Sequence, residues 1–146
     1  MRTHLRTLVI VYIAAIIGSS LVPIPASAGG ITVEKNGVEH SFAQQVTFSL
    51  EVSSDAKISQ IYLFFRATDD NETKKAKVPI DQPAREVSVT YNHDAGTYPL
   101  SPFADIGFWW QIEDAAGNRL ETARKHFKYT DNRFQWRTLS TGDITI

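Results

Sequence analysis

Few side chains in this sequence can do covalent or metal chemistry, and their spacing decides which chemistry is open. Its four histidines, His4, His40, His93 and His126, are never four residues apart. A zinc-protease helix of the form H-E-x-x-H needs two imidazoles on one helical face with a glutamate between them, so that arrangement is absent. Cysteine is absent too, which removes disulfides, thiolate metal sites and thiol nucleophiles together. Neither a G-x-S-x-G elbow nor an S-x-x-K pair is read in the sequence, so no serine hydrolase is expected. Asp69, Asp70 and Glu72 share one loop, where oxygen ligands alone would suffice for a weak Ca²⁺ site, but Lys74, Lys75 and Lys77 follow at once and no EF-hand ligand ladder accompanies them. Glu113 and Asp114 are consecutive, and general acid/base pairs need convergent carboxylates across a defined gap. The expectation is a protein that is not an enzyme and has no metal and no cofactor.

Binding chemistry is better represented. Trp109 and Trp110 are adjacent, so on a strand they point to opposite faces. Trp110 shares its parity with Ile106, Phe108 and Ile112 and belongs to the core. Trp109 shares its face with Gly107 and Gln111; an outward indole beside a glycine suits stacking on a sugar ring or a partner side chain, unless a neighbouring strand or the Trp136 segment covers it. Asp131, Arg133 and Trp136 form a second cluster, either an Arg-Trp docking hot spot or an ion pair that ties down the C-terminal segment. Trp109, Arg133 and Trp136 are the candidate partner-binding residues, with Tyr98 and Phe103 as further loop aromatics.

The elements that position these residues have strand period. Val46, Phe48, Leu50 and Val52 alternate with polar residues. Ile58 to Ala67 is apolar on both faces and reads as a central strand covered on two sides. Thr68 to Lys75 reads as a loop, whose Asn71-Glu72-Thr73 is formally a glycosylation sequon. Lys77 to Ile80 reads as an edge strand, since Pro79 cannot donate to a ladder. Glu86 to Tyr91 is a strand and Asn92 to Ala104 a loop rich in turn formers. Ile106 to Ile112, a turn at Asp114 to Asn118 with Gly117 free to take positive φ, and a return from Leu120 to Tyr129 make a hairpin. About seven short strands and no helix outside the leader predict an all-β fold, an antiparallel immunoglobulin or fibronectin type III-like β-sandwich.

The N-terminus has the three-part order of a secretory signal. Arg2 and Arg6 precede an apolar run from Leu8 to Ile17, and Pro23, Pro25 and Ala26-Ser27-Ala28 follow. The expected division is a helical signal peptide over 1–28 cleaved after Ala28, a sandwich over 29–130, and a C-terminal tail or start of a linker over 131–146. An uncleaved anchor is the competing reading, although the apolar stretch Thr7 to Val22 falls below the roughly 18 to 20 residues that span a bilayer core. The expected location is secreted or extracytoplasmic, with no membrane association after cleavage. Removing the leader takes the formal charge from −1 to −3, so no basic field exists to hold a nucleic acid.

Three clusters carry a family resemblance. Leu100-x-Pro102, then Phe108-x-Trp110-x-Ile112-x-Asp114-x-x-Gly117, then Phe127-x-Tyr129-x-Asp131-x-Arg133-Phe134-x-Trp136 resemble the N-terminal β-sandwich region of secreted bacterial peptidase-MA-like proteins, across roughly positions 31 to 143. The Leu100-to-Gly117 part also resembles the E-to-F corner and F–G hairpin of fibronectin type III modules, with Ile106 where such modules place a corner tyrosine. In the peptidase-MA-like proteins a gluzincin-type zinc protease domain follows the sandwich and supplies the H-E-x-x-H helix. The resemblance therefore implies an exported non-catalytic interaction module, the accessory domain of a truncated or split protease, whose partner is a protease domain or an envelope protein. The alternative is an extracellular or envelope carbohydrate-binding domain using Trp109, Tyr98 and Phe103.

Overall fold

A computed structural model of the chain describes residues 27–28, 30–134, 140–141 and 144–145. The leader expected over 1–28 lies outside them, except that the backbone of β1 (Ser27–Ala28) pairs with the start of β2 (Ile31–Ser41). The chain continues through β3 (Gln45–Ser53), β4 (Ile58–Ala67), β5 (Lys74–Val78), β6 (Glu86–Asp94), β7 (Asp105–Asp114), β8 (Arg119–Glu121) and β9 (Lys125–Lys128). Two short strands, β10 (Ser140–Thr141) and β11 (Ile144–Thr145), pair with each other. One antiparallel sheet has the order β1-β2-β3-β6, and the other β5-β4-β7 with β8 and β9 both along the far side of β7.

Alternation fixes which side chains enter the core. In β3 every second residue is buried, and Val46, Phe48 and Leu50 are fully so. From the opposite sheet Ile61, Leu63, Phe65, Ile106, Phe108, Trp110 and Ile112 face them. Phe48 meets Phe65 and Phe108 at ring-centroid distances of 5.2 Å, so the two layers interlock through aromatic rings. The Trp110 indole N–H donates to Asn36 Oδ1 at 3.1 Å, which satisfies the one polar atom this large ring carries inward.

Several boundaries differ from the sequence reading. The edge strand is Lys74–Val78 rather than Lys77–Ile80, so Lys74 and Lys75 leave the expected loop and Pro79 stands just past the last rung. Residues 92 to 94 belong to β6 and not to the following loop, because they complete the ladder with Thr47, Val46 and Gln45. β4 has its expected bounds but is covered by the core on one face only; its other face carries half-buried Tyr62 and Phe64 under cationic side chains.

The return strand is not continuous. Gln111 opposes Glu121 and Phe108 opposes Lys125, so residues 122–124 face only Trp109 and Trp110, as in a β-bulge. Thr122 closes the gap: its N–H donates to the Trp110 carbonyl at 2.9 Å and its Oγ1 accepts from the Trp110 N–H at 3.0 Å. The extra residue lets Leu120 and the later pair Phe127 and Tyr129 point to the core side while Arg124, His126 and Lys128 stay exposed.

The hairpin turn is built around Asp114, which is 2 % exposed. Its carboxylate accepts from the N–H groups of Ala116 and Asn118, from the Asn118 side-chain amide and from the Ser54 hydroxyl. These bonds, the Asn118 amide first, hold its carboxyl below the usual carboxylate range. Gly117 takes φ +84°, as the turn requires. Ile106 leaves the corner before β7 without a tyrosine hydroxyl; the buried Tyr129 uses its own to accept from the Ala43 N–H at 2.8 Å, in the turn between β2 and β3. The chain is an all-β antiparallel sandwich of the immunoglobulin or fibronectin type III-like kind.

Candidate functional site

The outer face of the β5-β4-β7-β9 sheet carries a row of side chains set by strand register. Lys75 opposes Phe64, and Phe64 opposes Trp109. The Phe64 and Trp109 rings stack at 5.4 Å with an interplanar angle of 8°. Arg124, released by the bulge, lies with its guanidinium carbon 4.1 Å from the centre of the Trp109 ring. At the other end Lys75 Nζ sits 4.4 Å from the Tyr62 ring and 5.4 Å from that of Phe64. The result is a cation–ring–ring–cation ladder across three strands. Trp109 thus points outward as expected, but Phe64 and Arg124 cover its faces, and no open indole face is left for a sugar.

One rung along, Arg66 opposes Gly107, which opposes His126. Arg66, Thr68, Gly107, Arg124 and His126 line a shallow cavity of about 60 Å³. Gly107 leaves room for this cavity: a Cβ there would meet Arg124 Cδ and His126 Cε1 at 3.1 Å each, so any other residue would push these two side chains back by a few tenths of an ångström. His126 Nδ1 donates to Asp105 Oδ2 at 3.0 Å, and Thr68 Oγ1 reaches the same carboxylate oxygen at 3.3 Å. Among the described residues neither Arg66 nor Arg124 has a carboxylate partner. Sequence reading missed both arginines. The available signals were an arginine inside an apolar strand and a glycine between bulky neighbours.

The loop between β6 and β7 holds two aromatic rings out to solvent, Tyr98 at 64 % and Phe103 at 58 % exposure. Both are fixed by their backbone. The Phe103 N–H donates to the Tyr129 carbonyl at 2.8 Å, and the residue is held at φ +62°, a conformation costly for a bulky side chain. The Tyr98 N–H donates to the Asp94 carbonyl at 2.9 Å, and its own carbonyl accepts from His93 Nε2 at 2.8 Å. That bond requires the Nε2–H tautomer, and burial of His93 against the edge of Phe65 pushes the imidazole below its ordinary value.

Arg133 lies apart from this face. It grips Asp131 with Nε at 2.8 Å and Nη2 at 2.6 Å, and its guanidinium packs over Phe42 and Phe134. This is the tying-down arrangement, and it couples the C-terminal segment to the β2–β3 turn, where Asn132 also bonds His40 and Phe42. Trp136 lies outside the described residues. The loop acids Asp69, Asp70 and Glu72 gather no metal set, and no group of three His, Asp or Glu able to hold a metal ion occurs among the described residues. Ser54-Asp55-Ala56-Lys57 has the S-x-x-K spacing of some acyl-transfer serines, which sequence reading overlooked. The Ser54 hydroxyl is buried and spent on Asp114 Oδ2 at 2.8 Å.

No protein-family model matches the chain, and no curated protein does. Among solved structures it is similar to a myokine, at 13 % identity and TM-score 0.48, over 73 % of this chain and 99 % of that one. A carbohydrate-binding module family 56 β-1,3-glucan binding domain aligns at 13 % identity and TM-score 0.39, over 64 % of this chain and 95 % of that one. Wild-type OgpA from Akkermansia muciniphila aligns at 12 % identity and TM-score 0.49, over 81 % of this chain; the match spans about a third (34 %) of the OgpA chain.

Proposed function

We propose that the domain is a non-catalytic carbohydrate-binding module acting outside the cytoplasm. The observation that carries this reading is the pair of rings on the β6–β7 loop, Tyr98 and Phe103, each more than half exposed and each fixed by backbone hydrogen bonds. Holding an aromatic ring in water at a strained φ costs stability, and an amphipathic ligand such as a sugar ring recovers that cost by stacking. Because the backbone that carries the rings is already fixed, little loop-ordering entropy remains to be lost on binding. Glycan-array and cell-wall pulldown signals should fall about twofold to tenfold in Phe103→Asn and in Tyr98→Ser, the loss of one stacked ring being worth about 0.5 to 1.5 kcal/mol. Asparagine tolerates the positive φ, so the first variant removes the ring and spares the loop. Unchanged signal in both variants defeats the reading.

A second reading, docking to a peptidase-MA-like zinc protease domain, is favoured by the corner where Arg133 packs on Phe42 and on Phe134, itself 62 % exposed. A downstream reading frame encoding an H-E-x-x-H domain whose product co-purifies with this one, and is released by Arg133→Ala, would support it. Both readings need export through the leader expected over 1–28. The intact mass of the exported chain tests cleavage after Ala28.

A further inference from the structure

We infer that the cavity over Gly107 seats an anionic substituent, a carboxylate or a sulfate ester, of the bound glycan; this rests on the carbohydrate reading and names the glycan class. The charge balance is the first argument. In a chain with more acids than bases, Arg66 and Arg124 converge on one small cavity without a carboxylate partner among the described residues. The nearest acid, Asp105, is already engaged by His126 and Thr68. A guanidinium without its anion offers unspent charge-assisted donors to a ligand.

Size and placement narrow the ligand. The cavity, about 60 Å³, is of a size for a small charged group. Phe103 lies only four residues before Gly107, so at most about 14 Å of backbone separates the stacking residue from the anion seat. The ladder gives Trp109 a positioning role. Its indole fixes the Arg124 guanidinium at 4.1 Å, and that side chain also lines the cavity.

The test compares dextran, carboxymethyl dextran and dextran sulfate, which keep one sugar backbone and vary the substituent, with polyglutamate as a sugar-free polyanion. By titration calorimetry the purified chain should bind one or both anionic dextrans about tenfold tighter than dextran, a preference that shrinks as salt rises. The tighter of the two names the substituent. Arg66→Gln and Arg124→Gln should each bring the preference toward parity, while Lys35→Gln on the opposite sheet leaves it in place. Gly107→Ala removes no charge but crowds Arg124 and His126, and should also lower the preference; a diffuse electrostatic attraction would not respond to it. Equal affinity for all three dextrans overturns the anion seat and leaves the carbohydrate reading standing. Polyglutamate binding as tightly as carboxymethyl dextran overturns it in favour of an acidic peptide, and no binding to any dextran also overturns the anion seat, while the glycan array decides the carbohydrate reading.

Discussion

The two outer faces of the sandwich follow the same two-residue period and have opposite chemistry. On the β3–β6 side the outward rows are Gln45, Thr47, Ser49, Glu51 and Ser53 against Asp94, Asn92, Thr90, Ser88 and Glu86. These are small hydroxyls, amides and acids, and Gln45, Thr47 and Asn92 satisfy one another at 2.8 to 3.0 Å. On the β4–β7–β9 side the outward residues are Tyr62, Phe64 and Arg66, then Gln111, Trp109 and Gly107, then Arg124, His126 and Lys128. The first face is a solvated surface that closes on itself. The second leaves apolar rings and two arginines on the wet side of a sheet, where neither is needed to fold it. Strand period tells inside from outside, and only the composition of the outside tells a plain wall from a binding face.

Four substitutions sharpen this contrast, taken from the largest effect to the smallest. Trp110→Ala strikes the core that both faces share, and by chemical denaturation should cost about 3 to 5 kcal/mol, a large part of the roughly 5 to 15 that such a domain has. Trp109→Ala, one residue away, should cost about 1 to 2 kcal/mol, the sum of a stacked ring pair and one cation–ring contact. A loss from Trp109→Ala equal to that from Trp110→Ala would make the ladder part of the core and break the distinction between faces.

His93, buried where the two sheets meet, gives a smaller and pH-dependent effect. Burial, reinforced by Lys74 and opposed by the Tyr98 carbonyl and Asp94, places its folded pKa below the ordinary 6.5. Its contribution is therefore complete above pH 6.5 and is lost as pH falls through the folded value. Melting temperature should drop on that acid side, and His93→Gln should flatten the drop. Thr47→Ala on the hydroxyl face should change stability by no more than about 0.5 kcal/mol. A larger loss there would show that this face, too, carries more than solvation.

Legibility in the sequence followed how local each signal was. β4 and the Asp114-to-Asn118 turn were readable because apolar runs and turn formers are contiguous. β2 was not, since its exposure follows no clean alternation and Gly37 interrupts it. The end of β6 was hidden because Asn92-His93-Asp94 has loop composition, while a ladder partner fixed its conformation. Trp109 was placed outward from parity alone. That Phe64 and Arg124 cover it depends on a register between three strands, which no local pattern encodes. The cavity over Gly107 was invisible for the same reason.

The bulge at residues 122–124 has a consequence for how this chain tolerates change in length. It works as a phase shifter: everything after it is one half-period out of step with everything before it. Losing one residue there would leave two residues facing Trp109 and Trp110 and close the bulge into a regular ladder, with Phe127 and Tyr129 still on the core side, whereas losing one between 125 and 128 would turn Tyr129 to the other face. A one-residue deletion in the Asp114-to-Asn118 turn would break the bonds that Asp114 makes there, whereas one in the loop over 68–73 would mainly shorten the connection between β4 and β5. Natural or engineered length variants should accordingly be found in that loop and, as single-residue losses, at 122–124, and be absent within β7 and β9.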